Sequence, residues 1–190
     1  TKPLNCSTSI TLSRGFAGIL FTGPAKFLAV AHPYNEPFLT THFKEVEYRI
    51  LTAFEGGALI VINHPFSEHE PFHFDLTQLP FDCLEIWNGP MRESNLRAVG
   101  YWQTLLESGQ KVTAVGGSDY HRDNLFQILG GPCMGVYAMS SSPADILSAL
   151  RAGHSFITFA PQGPTLEMTA GEAILGDTVT WHQDIEVQIT

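Results

Sequence analysis

The chain has 190 residues, a formal net charge of −9 and only ten Lys and Arg, which are scattered rather than clustered. No basic stripe exists to follow a phosphate backbone, so composition speaks against nucleic acid as a partner. At 44% hydrophobic and 15% charged residues the chain reads as a folded globular domain rather than a disordered one.

Cys6, Cys83 and Cys133 are odd in number, widely spaced and without a CxxC pair. They form neither a disulfide framework nor a thiolate zinc site, and read as small hydrophobes. The most apolar early stretch, residues 15–31, is interrupted by Gly18, Gly23, Pro24 and Lys26 and is too short to span a bilayer. With no signal peptide or lipidation motif in sight, the expected location is cytoplasmic, with no membrane partner.

Short apolar runs recur at residues 27–31, 58–62, 83–87, 112–115, 135–139 and 156–159. Each is nearly continuous in apolarity and flanked by Gly, Pro or Asn, as strands buried on both faces are. Helical patterns lie between them. Phe43, Val46, Ile50 and Phe54 recur at steps of three and four before Gly56-Gly57, and Val99, Trp102 and Leu106 do so before Gly109. Ser142-Pro143-Ala144-Asp145 is a helix start with Ser as cap, and Gly153 closes that helix. Alternation of this kind predicts parallel strands with helical crossovers. Beyond Pro161 the pattern changes: residues 165–169, 178–181 and 185–189 alternate apolar and polar and predict short antiparallel strands. Two parts follow, residues 1–160 and a β appendage at 161–190.

The polar residues track the strand ends. The runs finish in Ala31-His32-Pro33, Asn63-His64-Pro65, Trp87-Asn88-Gly89 and Gly117-Ser118-Asp119-Tyr120-His121. In parallel α/β folds the carboxyl ends of strands converge on one face, where ligands bind. Imidazole and carboxylate together suit Zn, Mn or Fe, and such sites activate water as a nucleophile. His32, His64, Asp119 and His121 are thus the candidate metal ligands. A lone His-Pro is usually only a turn; the joint placement carries the reading.

Taken in order, Ile62-Asn63-His64-Pro65, Leu84-Glu85-Ile86-Trp87-Asn88-Gly89, Gly116-Gly117-Ser118-Asp119-Tyr120-His121 and Leu150-Arg151-Ala152-Gly153-His154-Ser155 resemble the PHP (polymerase and histidinol phosphatase) superfamily. The likeness is to its carbaryl-hydrolase-like branch and spans residues 55–170. It implies a distorted (β/α)7 barrel that binds two or three divalent metals. Such proteins hydrolyse phosphoesters or, in a few members, carbamates and related esters. His64 matches the histidine of the family's third motif, and Asp119 and His121 match its last. His32 stands where many members place a further histidine. The family's opening HxH motif, D-H pair and ligating glutamate have no counterpart here. The chain is therefore expected to be the C-terminal part of a longer protein, an incomplete barrel that dimerises or associates with an N-terminal segment.

Asn88, at a strand end, and His154, after a helix-ending glycine, are candidates for contact with a small-molecule substrate. Glu85 lies mid-strand, where an inward carboxylate needs a partner. His42, His69, His73 and His182 read as solvated or structural. No Gly-rich phosphate loop or G-x-S-x-G elbow is present. The expected activity is hydrolysis by a metal-activated water, probing phosphoesters first and carbamates, amides or esters as the alternative. A non-catalytic barrel fragment serving as an interaction module is the competing class.

Overall fold

The computed structural model describes residues 19–22, 43–68, 72, 74–120, 125–126, 129–180 and 184–190. The predicted strand at 27–31 lies outside them. Its centre is a four-stranded sheet in the order β1 (Ile19–Thr22), β2 (Leu59–Ile62), β3 (Cys83–Asn88), β4 (Thr113–Gly117). β2, β3 and β4 are mutually parallel, and β1 runs antiparallel along β2.

Continuous apolarity in β2 has a direct structural reason: the strand is covered on both faces. Ile60 packs with Ile50 and Ala53 of helix α1 (Phe43–Glu55), and Ile62 packs with Leu84, Val112 and Leu105 of helix α2 (Glu93–Glu107). On the opposite face Leu59, Val61 and Cys83 meet Leu147 and Leu150 of helix α3 (Pro143–Ala152). The helices take the faces that their periodicity dictates. In α2, Asn95, Ala98 and Leu105 are buried on one side, and Trp102 donates its indole N–H to the Val112 carbonyl at 2.8 Å. In α3 the Ser142 hydroxyl accepts the Asp145 N–H at 3.2 Å, and Gly153, at φ 81°, turns the chain out of the helix.

A second pair, β5 (Cys133–Val136) and β6 (Ser155–Thr158), is antiparallel and lies beside β4. The tail forms a three-stranded antiparallel sheet in the order β8 (Ala173–Ile174), β7 (Met168–Ala170), β9 (Gln188–Ile189). That agrees with the expected strands near 165–169 and 185–189, whereas residues 177–180 form none. No helix among the described residues is long and apolar enough to cross a membrane.

The expected distorted (β/α)7 barrel, even as an incomplete one, is corrected by this topology. Among the described residues only β2, β3 and β4 are parallel, β1 closes one side antiparallel, and β5 and β6 pair separately, so no barrel closes. The departure turns on the link between β5 and β6. A barrel needs α3 to cross from one end of β5 to the other, but Val136 pairs with Ser155, so the chain leaves β5 and enters β6 at the same end. Residues 137–154 therefore leave and return at one end of the pair, and the strands meet antiparallel.

Because Leu84 is fully buried between the sheet and α2, Leu84→Ala is expected to cost about 2–5 kcal/mol. Leu96→Ala, at a position 62% exposed, should change stability by less than about 0.5 kcal/mol. Urea denaturation of both variants checks the assignment of core and surface.

Candidate functional site

Parallel pairing of β2, β3 and β4 brings their carboxyl ends to one edge of the sheet. His64 follows β2 by two residues, Asn88 ends β3, and Asp119 follows β4 by two. Among the described residues, His64 (φ 30°) and Asp119 (φ 46°) are the non-glycine residues with left-handed backbones. Such a conformation costs a side-chain-bearing residue roughly 1–2 kcal/mol, and retained strain of this kind concentrates where a chain places functional groups. Both residues are of metal-ligating types.

Local sequence explains how the strands stop so sharply. Glu85 pairs with Val115 and Trp87 with Gly116, leaving Ile86 as an extra residue that bends β3. Any side chain at position 116 would lie 2.8 Å from the Trp87 carbonyl oxygen, so glycine is required there. After β2, Pro65 occupies the second position of a turn closed by the Ser67 N–H donating to the His64 carbonyl at 2.9 Å.

Glu85 occupies the centre of this edge. Its side chain is buried, 9% exposed, and one carboxylate oxygen accepts the His64 backbone N–H at 2.6 Å and the Asn88 amide at 3.2 Å. Asn88 is itself clamped. Its N–H donates to the side chain of Asn95 at 3.3 Å, and the Asn95 amide returns bonds to the carbonyls of Asn88 and Pro90, each at 3.2 Å. Burial pushes the Glu85 carboxyl up to about 8, against the two hydrogen bonds that lower it, and the nearby charge of Asp119 raises it further. A neutral acceptor contributes about 0.5–1.5 kcal/mol and a charged one about 1.5–3 kcal/mol.

Beside Glu85 lies a small open cleft of about 30 Å³. His64, Pro65, Phe66 and Ser67 form one wall, with Arg92, Ser94 and Asn95 from the amino end of α2 opposite. Phe66 is held edge-on to Tyr101 and beneath the Arg97 guanidinium, 5.2 Å from its ring centre.

Of the expected site residues, His64, Asn88 and Asp119 share this edge; His32 and His121 lie outside the described residues. His154 lies elsewhere. It follows α3 next to Gly153, which approaches Thr113 at the amino end of β4, and its Nε2 bonds Asp177 at 2.9 Å. Asp177 also accepts the Ile174 N–H at 2.9 Å, and these two bonds hold its carboxyl below the usual range. His154 thus ties the tail to the domain, away from the edge that carries Asp119. Asn95 and Arg92 were not singled out from sequence, because a helix-start Asn and Arg are ordinary there.

The edge carries donors of the kind a cation takes. His64 Nδ1 is buried without a hydrogen-bond partner among the described residues, and a cation would satisfy it. Asp119 supplies a carboxylate at the same edge. No three His, Cys, Asp or Glu side chains converge among the described residues, so these two are a partial set. No protein-family model matches the chain, and no curated protein or solved structure matches it either.

An acid whose folded-state pKa is raised keeps a proton that the unfolded chain has lost. Glu85 is protonated in both states below about 4.5, and only in the folded state between there and about 8. Stability of the chelator-treated protein is thus expected to fall as pH rises through that window. Glu85→Gln, with no proton to lose, should flatten the fall. Urea midpoints at pH 5, 6.5 and 8 for both proteins test this, and an equally steep decline in the variant would place its origin elsewhere.

Proposed function

We propose that this chain carries the metal-binding edge of a metal-dependent hydrolase, a phosphoesterase of the kind found in the PHP superfamily, which its motifs resemble. The observation that carries the reading is the pairing of His64 and Asp119. Two residues of ligating type are delivered by separate parallel strands to one edge, both in left-handed backbone, and one presents a buried ring nitrogen without a partner among the described residues. His121, two residues after Asp119, and His32 complete the proposed ligand set.

A divalent Zn, Mn or Fe ion bound there would polarise the scissile group and lower the pKa of a bound water. The chain's own groups do the rest. His64 contributes a neutral nitrogen donor and Asp119 a negative charge. Asn88 and Asn95 hold the β3 terminus in register with both. Arg92 and Ser94 line the cleft next to His64, where they suit an anionic group of a substrate. In an otherwise acidic protein, that positive charge is local.

Replacing Asp119 by Asn retains the shape and removes one charge facing the cation. Metal affinity and turnover of p-nitrophenyl phosphate by the intact protein should both fall, by at least the roughly 10–100-fold seen when an outer partner of a ligand is lost. Excess Mn or Zn should restore part of the activity. Cys133→Ser should leave turnover nearly unchanged. Full activity and metal content in Asp119→Asn would remove this edge from consideration.

A further inference from the structure

Left-handed backbone at His64 is unfavourable for any residue with a Cβ, and the Pro65 that follows adds its own steric limits on that conformation. Something must hold it. The bond that does so joins residues 21 positions apart: the His64 N–H donates to the Glu85 carboxylate at 2.6 Å, across to β3. Glu85 cannot swing away, because Asn88 binds the same oxygen and Asn95 locks Asn88 from α2. The other Glu85 oxygen lies beside β4, where a Cβ at Gly117 would sit 3.5 Å from it.

We infer that Glu85 is the positioning residue of this edge: held by Asn88, its carboxylate fixes the His64 backbone and so aims the His64 imidazole at the cation. Asn88, at the end of β3, then acts through Glu85 rather than on substrate. This role rests on the metal-site reading of His64, yet its first element, the locked His64 peptide, is measurable without any metal.

Three proteins separate the possibilities: wild type, Glu85→Gln, and Glu85→Ala. Gln retains one oxygen that can accept both the His64 N–H and the Asn88 amide, as a single Glu85 oxygen does. Ala removes the acceptor altogether. Amide exchange read by NMR in chelator-treated protein is expected to show a protected His64 amide in wild type and Glu85→Gln. In Glu85→Ala, exchange at that amide should accelerate by at least about tenfold, while amides of β3 and α2 stay protected. Titration with Mn(II) alone should give affinities within a few-fold for wild type and Gln, and a loss on the order of 10–100-fold for Ala. Ile50→Ala, at a fully buried position of α1 that packs on Ile60 rather than on the edge residues, should bind Mn(II) like wild type, which separates positioning from general loss of stability.

A folded Glu85→Ala protein with a protected His64 amide and undiminished Mn(II) affinity would overturn the positioning role. If Glu85→Ala is too unstable to fold, Asn88→Ala takes its place, with the same expected direction at the His64 amide. A wild-type protein with a protected His64 amide and no Mn(II) binding would instead overturn the proposed metal site and leave only the locked His64 peptide standing.

Discussion

Parallel pairing of β2, β3 and β4 is the constraint from which the rest of this structure follows. Parallel neighbours cannot be joined by tight turns, so each return needs a crossover long enough to traverse the sheet. The crossovers place α2 on one face and leave the other to α3. The strands between them are buried on both sides and must be apolar along their length. Polar groups are then admissible only where the strands end, and all three strands end at the same edge. The concentration of His64, Asn88 and Asp119 there is thus a topological outcome before it is a chemical one.

Glu85 is the exception that this constraint makes costly. A carboxylate within a buried strand loses hydration, and the rise of its pKa to about 8 registers that loss. The chain retains it with two hydrogen-bond donors on one oxygen and a neighbouring negative charge at Asp119 that works against it. An apolar residue at position 85 would suit the core better on stability grounds alone. Its presence makes sense when the His64 peptide, which needs an acceptor to remain left-handed, is counted together with it. A cation near His64 and Asp119 would add the positive charge that a buried carboxylate lacks, and the costs at Glu85 and His64 would then be met together.

Much of the local structure was legible in the sequence. Double-sided burial made the runs at 58–62, 83–87 and 112–115 continuous in apolarity, and Ser142-Pro143 and Gly153 marked the limits of α3. Strand direction was not legible. The run after Gly131 and the run after Gly153 look like their parallel neighbours, because burial controls their composition and partner direction does not. What decides is the end of β5 to which residues 137–154 return, a geometric quantity that residue types do not encode. The tail was legible only as alternating strands, and residues 177–180 show that alternation without pairing is insufficient. The placement of His64 and Asp119 on one edge was legible because residues of ligating type at strand ends are chemically unusual. Glu85 was noticed as a carboxylate in need of a partner, but its partner is a peptide N–H, which no sequence pattern can display. Asn95 was invisible for the same reason: it binds backbone carbonyls.

His154 shows how a strand-end argument reaches its boundary. It follows a helix-ending glycine and precedes a strand, so its side chain emerges at the opposite end of the sheet from residues that follow strands. There it meets Asp177, while Gly153 and Gly176 approach so closely that a Cβ on Gly176 would collide with the Gly153 carbonyl. Both glycines are left-handed, so each supplies a turn and an absence of bulk at once. The Tyr137 hydroxyl adds a bond to the Leu166 carbonyl. The tail is therefore anchored at the amino end of β4, while His64, Asn88 and Asp119 gather at the carboxyl edge of the sheet. That separation lets the two ends of one short strand serve different purposes: attachment of the tail near Thr113, and, on the proposed reading, metal binding past Gly117.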